Sequence, residues 1–201
     1  MLLEEIKSGN IGELNTISNY IQQSLASIEN IITKTLEVAN SKEKAKDEVL
    51  NILQLIDEAQ QLIDLPVNFK LGINCQNPLV QGNKVEILQI LMNLITNSVK
   101  YCDKINCEMH FDVLDLGDFF QFTITDNGRG IQAEKLKDIF KLFNKDDDKS
   151  KDSNGVGLTI VKSIIESRGG VIDITSKEGI STEVKFTWPK IVLSKYTNPS
   201  N

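Results

Sequence analysis

Residues 119–130 read FFQFTITDNGRG. The stretch Phe119–Thr125 alternates and is rich in aromatic and β-branched side chains, the composition of a strand entering a core. Asp126 stands where that strand stops, and its carboxylate can accept a hydrogen bond from a donor such as an exocyclic amine. Gly128 and Gly130 lack the Cβ atoms that would hold a flat ring or a phosphate away from the backbone. A plain strand-to-turn connection uses the same residues, so the stretch alone leaves both readings open.

Upstream, Lys84–Tyr101 is apolar over most of its circumference, through Val85, Ile87, Leu88, Ile90, Leu91, Leu94, Ile95 and Val99, which predicts a buried helix. Asn93 and Asn97 interrupt it mid-helix on one face, one turn apart. An unpaired buried amide costs about 1–3 kcal/mol, so these two need either a local hydrogen-bond network or a ligand along that face. Strands over 105–115 and 119–125 form a hairpin around Leu116-Gly117-Asp118.

Downstream, Ala133–Phe140 reads as a short helix, and Asn144–Asn154, with its aspartates and lysines and no aliphatic residue, as a solvated mobile loop. Gly155-Val156-Gly157 then opens a helix over Leu158–Arg168, which Gly169-Gly170 ends. Strands over 171–176 and 182–188 close the pattern, with a frayed tail over 193–201.

The N-terminal part is helical by spacing. Over Ile11–Ala39, Leu14, Ile21, Leu25, Ile28, Ile32 and Ala39 form a narrow apolar seam of the kind that pairs with another helix. After a break at Asn40-Ser41, a second helix runs to about Asp64 through Val49, Ile52, Leu53, Ile56, Ala59 and Ile63, and Pro66 stops it. Val67–Asn74 alternates as a strand with Val67, Phe69, Leu71 and Ile73 on one face, and Leu79-Val80 forms a short strand.

Composition narrows the function. The chain has 201 residues and a net charge of −6 without a lysine/arginine block, which argues against nucleic acid or an anionic membrane surface as the main partner. No apolar run approaches the roughly 18 residues of a membrane span, and no signal-peptide pattern opens the chain, so no membrane contact is expected within it. Three cysteines predict reduced thiols and a cytoplasmic location, either as a cytoplasmic protein or as the cytoplasmic part of a membrane-bound sensor. Cys102, Cys107 and His110 are close in sequence but lack the fourth ligand that structural zinc requires.

The soft signals converge. A glycine pair at a helix N-terminus suits phosphate, because free N–H groups and the helix dipole point at it; Gly155 and Gly157 stand there. Asn93 and Asn97 carry side-chain oxygens of the kind Mg²⁺ accepts, and Asp126 an acceptor for an adenine amine. Together they point to Mg-ATP.

Four segments carry a family resemblance: Gln89–Tyr101 (QILMNLITNSVKY), Asp126–Gly130 (DNGRG), Ile139–Phe143 (IFKLF) and Gly155–Leu158 (GVGL). They resemble the N, G1, F and G2 boxes of the catalytic domain of sensor histidine kinases, within the GHKL group of ATPases. The resemblance covers about residues 45–190. It implies an α+β fold, a two-layer α/β sandwich with a mixed five-stranded sheet and helices on one face, preceded by a long dimerisation helix. It implies ATP and Mg²⁺ as cofactors, with Asn97 the main metal ligand and Asn93 supporting it, Lys100 near the phosphates and Tyr101 flanking the nucleotide. By the same resemblance Asp126 binds the adenine amine, and Gly128, Gly130, Ile131, Gly155, Val156, Gly157 and Leu158 line the pocket. Phe140 and Phe143 anchor the lid, where plain core packing is the alternative, and Thr182 closes the adenine end. Two departures stand out: Ser153 and Ser181 occupy places where the boxes usually carry glycine.

Asn93 matters for the type of chemistry. Hydrolysing members of the group carry a glutamate there, and an amide cannot take the proton from water. The resemblance therefore implies a protein histidine kinase, with Asn93, Asn97 and Lys100 in the catalytic role and the γ-phosphoryl passing to a histidine outside this chain. Residues 1–40 resemble the C-terminal part of a dimerisation hairpin without its phosphoacceptor histidine, and 41–192 the ATP-binding domain. A homodimer through Ile11–Ala39 and a response-regulator receiver domain are the implied partners, and the isolated chain is not expected to phosphorylate itself. A catalytically idle docking module of the same fold and an anti-sigma-type serine kinase are the alternatives.

Overall fold

The alternating run that opens at Phe119 becomes the middle strand of a sheet. The computed structural model describes residues 47–75, 78–141 and 156–190, all within the unit Lys46–Asn201. In chain order the elements are β1 (Glu48–Asn51), α1 (Ile52–Gln61), β2 (Phe69–Asn74), β3 (Leu79–Gly82), α2 (Lys84–Lys100), β4 (Cys107–Asp115), β5 (Phe119–Asp126), α3 (Ala133–Leu136), α4 (Gly157–Ser167), β6 (Ile172–Lys177) and β7 (Ser181–Pro189). Five strands form one sheet in the order β2-β4-β5-β7-β6, and β1 with β3 forms a two-stranded antiparallel ribbon. β2 runs parallel to β4 and the other neighbours are antiparallel, which makes the large sheet mixed.

Period-two patterning sorts the two faces. Met109, Phe111, Phe122, Ile124, Ile174, Val184, Phe186 and Trp188 are buried under the helices, whereas Glu108, His110 and Lys185 lie on the exposed face. Helices α1, α2 and α4 supply the other half of the core through Ile52, Leu55, Ile56, Ile90, Leu91, Leu94, Ile95, Val161 and Ile165. This is the two-layer sandwich expected from the resemblance. Phe122 stacks on Phe186 at 4.9 Å between ring centroids, and Trp188 donates its indole N–H to the Gln81 carbonyl at 3.0 Å, fastening the ribbon to the sheet.

Several expectations need correction. Over its described part, from residue 47, the helix expected from about 42 to 64 is a strand followed by a shorter helix. Leu50 points into the core while Val49 is 59% exposed, so Val49 belongs to a ribbon edge rather than to an apolar helical stripe. Asn51 decides the boundary, since its side chain accepts from the Gln54 N–H at 3.3 Å and caps α1. Val67 is solvent-exposed in the turn before β2, and Ile73 is exposed near the end of that edge strand, so only Phe69 and Leu71 of the predicted face pack against the core. The helix after Gly130 has one regular turn, Ala133–Leu136, before residues 137–140 continue as turns.

Cysteine chemistry also differs. Cys102 and Cys107 are joined by a disulfide, with Cα atoms 5.9 Å apart, where reduced thiols were expected. The end of α2 and the start of β4 bring the two together, a juxtaposition that an odd cysteine count does not reveal. Cys75 is not part of that disulfide.

One ion-pair cluster ties the domain's entry to its helices. Arg168, just past α4, donates Nε–H to Glu86 at 2.7 Å and an Nη1 proton to Asp47 at 2.8 Å. The Ile11–Ala39 helix, the loop 144–154 and the tail 193–201 lie outside the described residues.

Candidate functional site

Asp126 is the last residue of β5, in register with Met109 on one side and Thr182 on the other. Its two oxygens are held differently. The Gly128 N–H donates to Oδ1 at 2.9 Å, forming a tight turn, while the Ser98 hydroxyl lies 3.4 Å from Oδ2. Ser98 is itself buried on α2 and lies 3.1 Å from the Leu94 carbonyl, so one proton serves two acceptors. Burial raises the Asp126 carboxyl above its ordinary range, against the opposing pull of the Gly128 N–H, the Ser98 hydroxyl and the Thr182 N–H. Both carboxylate oxygens thus have partners within the protein, and burial still disfavours the charge at this strand end.

The glycines make room chiefly for protein. A Cβ on Gly128 would come within 2.8 Å of the Tyr101 carbonyl oxygen and 2.9 Å of Asp126 Oδ1. Gly130 has φ of +67°, and a Cβ there would overlap the Lys177 carbonyl. The loop is thus wedged between the end of α2 and the β6–β7 turn. The Arg129 N–H donates to the Tyr101 carbonyl at 3.1 Å, and the Gly179 N–H to the Arg129 carbonyl at 2.6 Å. The Ile131 N–H donates to Ser176 Oγ at 2.9 Å, and that hydroxyl donates to the Ser181 carbonyl at 2.7 Å beside Thr182. Ser181, where glycine was the family expectation, therefore meets this cluster through its backbone.

Helix α2 carries the other predicted residues along one face. Asn93 and Asn97 are both half-buried, and Asn93 donates Nδ2–H to the Gln89 carbonyl one turn back at 2.8 Å. That bond answers part of the amide's demand locally and leaves Oδ1 turned toward α4, where a Cβ on Gly157 would meet it at 2.7 Å. Lys100 Nζ lies 5.9 Å from the Tyr101 ring centroid, and the Arg129 guanidinium approaches the same ring at 5.1 Å.

Helix α4 begins beside Asn93, and among the described residues its leading N–H groups have no side-chain cap and no acidic residue in the first turn. Val156 occupies the N-cap position, and Leu158 packs against the core edge. Phe140 also packs on the core, its carbonyl accepting from Thr159 at 2.9 Å and Lys162 Nζ lying 4.9 Å from its ring centroid. For Phe140 the core-packing alternative describes its surroundings. Phe143 and Gly155 lie outside the described residues.

The structure therefore gathers Asn93 with Gly157, Tyr101 with Gly128 and Arg129, and Asp126 with Thr182. Ser98, Asn127 and Ser176 join them without having been singled out. Ser98 was visible as a small polar residue following Asn97 on a buried helix. Asn127 sat inside the glycine-rich stretch itself: it donates Nδ2–H to the Asn106 carbonyl at 3.0 Å and accepts from the Glu108 N–H at 2.9 Å. Ser176 had no sequence signal.

Residues 82–191 match the family described as histidine kinase-, DNA gyrase B- and HSP90-like ATPase. The methanogenesis regulatory histidine kinase FilI of Methanothrix harundinacea is 40% identical over 113 residues, covering 56% of this chain and 13% of that protein. A putative sensor histidine kinase, NtrY-like, from Rickettsia conorii is 28% identical over 196 residues, covering 92% of this chain and 32% of the relative. The chain thus spans less than a third of the length of these two proteins. Among solved structures, the mycobacterial sensor histidine kinase MprB aligns with a TM-score of 0.62 at 18% identity, over 72% of this chain and 97% of that one. Full-length ShkA, solved in complex with AMPPNP, aligns with a TM-score of 0.58 at 19% identity, over 72% of this chain and 31% of that one.

Proposed function

The chain belongs to the histidine kinase-, DNA gyrase B- and HSP90-like ATPase family, and from that premise we propose that it is the ATP-binding catalytic region of a two-component sensor histidine kinase. The observation that carries this reading is the desolvated Asp126 carboxylate at the end of β5, held by Gly128 and Ser98 beside the glycine-rich loop. Such an acceptor suits the exocyclic amine of adenine, which has protons to give and no charge to neutralise. The uncapped start of α4 suits the phosphates. Relatives named as histidine kinases support the class of reaction.

Mg²⁺ fits the donor set near that helix start. Asn93 and Asn97 present neutral amide oxygens, and a magnesium site usually takes one or two protein oxygens with phosphates and water completing it. Asn97 would be the main ligand and Asn93, whose Oδ1 faces α4, the support. Bound there, the metal would neutralise phosphate charge. Lys100 would add a second positive charge, while Asp126, Gly128 and Thr182 would orient the base.

Asn93 also sets the outcome. It has no basic carboxylate to activate water, so the reading is phosphoryl transfer to a protein histidine rather than steady hydrolysis. His110 is a poor acceptor because it lies on the exposed sheet face, opposite the helices. A receiver domain as the next acceptor, and pairing of two copies through Ile11–Ala39, complete the proposal.

Calorimetric titration with ATP tests it. One nucleotide should bind per chain, and omitting Mg²⁺ should weaken binding about tenfold or more. Absence of binding in both conditions would end the reading.

A further inference from the structure

The disulfide lies directly behind the glycine-rich loop. We propose that the Cys102–Cys107 bond is a redox-responsive brace that sets the shape of the loop 126–130 and, through it, nucleotide affinity; the second half of this inference rests on the nucleotide site proposed above.

The brace closes a loop that side-chain packing hardly holds. Residues 103–106 are all exposed, and Ile105 is 89% exposed, so packing contributes little to their placement. Yet this loop and its two ends supply much of the bonding to the glycine-rich loop. The Tyr101 carbonyl accepts from the Arg129 N–H, and the Asn106 carbonyl accepts from Asn127 Nδ2 at 3.0 Å. At the start of β4, the Glu108 backbone exchanges two bonds with Asn127, at 2.9 Å to its side chain and 3.1 Å from its N–H. Lys104 extends from the same loop to the Gly179 carbonyl at 3.0 Å, and the Gly179 N–H in turn holds the Arg129 carbonyl. The loop therefore grips 127–129 directly and again through the β6–β7 turn. Outside this region, Asn68 holds the Ile105 carbonyl at 2.6 Å.

Access favours one sulfur. Cys102 is half-buried and Cys107 is 6% exposed, so an external thiolate meets Cys102 first. A dithiol reductant attacks Cys102 Sγ, the S–S bond breaks, and the electron pair leaves on Cys107 Sγ, which takes up a proton. The reductant's second thiol, giving up its proton, then displaces Cys102 from the mixed disulfide. Two electrons and two protons pass to the protein, leaving two thiols and a reductant disulfide. Oxidised glutathione reverses the exchange, becoming two glutathione thiols. Both sulfurs lie 3.7 Å from the Lys104 carbonyl, where a thiol S–H can donate only after reduction, so the reduced loop has a competing set of bonds.

The test uses the whole chain, equilibrated with oxidised glutathione or with dithiothreitol, and reads two quantities. Peptide mapping of the oxidised sample should find Cys102 linked to Cys107. Reduction should then speed hydrogen exchange at the amides of 127–129 and 179, and weaken Mg-ATP binding by about fivefold or more, the low end of ordinary coupling between sites. Cys102→Ser/Cys107→Ser should behave as the reduced form under both conditions, Cys75→Ser should keep the response, and Asn127→Ala should shrink it by cutting the link. Free thiols in the oxidised sample, or exchange at 127–129 that ignores reduction, would overturn the brace. Faster exchange without nucleotide binding in either state would uphold the brace and sink the nucleotide reading instead. Binding that is equal in the two states would overturn the proposed control of affinity.

Discussion

Asp126 is held between opposing influences. Burial disfavours its charge, while one backbone N–H, one shared hydroxyl and the Thr182 N–H favour it, and burial wins. Its folded pKa is therefore raised above the unfolded value. The unfavourable charge is fully felt above the folded pKa and is relieved as pH falls through it, so this group favours the fold more in acid than at neutrality. Asp126→Asn should thus leave the urea midpoint unchanged or slightly higher, yet reduce ATP affinity roughly ten- to a hundredfold, the value of a hydrogen bond to a charged acceptor. For the same reason, affinity in the parent chain should fall as pH drops through the raised carboxyl range, and that step should vanish in Asp126→Asn. A variant that binds as tightly as the parent would remove the adenine assignment. The carboxylate was legible from its place after an alternating run; its burial was not, because Ser98 and Thr182 reach it only after α2 and β7 have packed.

At the scale of elements, Arg168 joins three of them. It follows α4, grips Glu86 in the first turn of α2, and holds Asp47 before β1. The half-buried Glu86 carboxylate and the exposed Asp47 carboxylate share it, and the hydrogen bonds it donates to both raise its pKa further, so the guanidinium stays charged at any working pH. Arg168→Ala should cost about 1–2 kcal/mol in urea denaturation, more than an exposed pair, because Glu86 is left half-buried without its partner. Arg168→Lys should recover only part, since one ammonium cannot fork between two carboxylates. A midpoint unchanged in Arg168→Ala would show that the cluster is solvated in solution. Element type was readable wherever periodicity ran long, as in α2, β4 and β5. It failed at 48–51, where Val49 and Ile52 fit a helical spacing and only pairing with β3 selects a strand.

For the molecule as a whole, the sandwich separates the proposed site from the sole histidine. The site lies where α2, α4 and the β5 end meet, whereas His110 stands on the solvent face of the sheet. Incubation with γ-labelled ATP should therefore leave this chain unlabelled, and label found on His110 would refute the kinase assignment as drawn. The order of boxes along the chain, the apolar faces of helices and strands, and the type of each long element followed from the sequence alone, because they depend on local composition and on periods of two and 3.6. Tertiary structure decided the rest. It decided that Gly128 and Gly130 accommodate the protein's own carbonyls, that Asn93 faces Gly157, and that Cys102 meets Cys107. Each of these is a distance between residues remote in sequence or separated by a turn, and such distances are set by how α2, α4 and the sheet settle against one another, which no local pattern encodes.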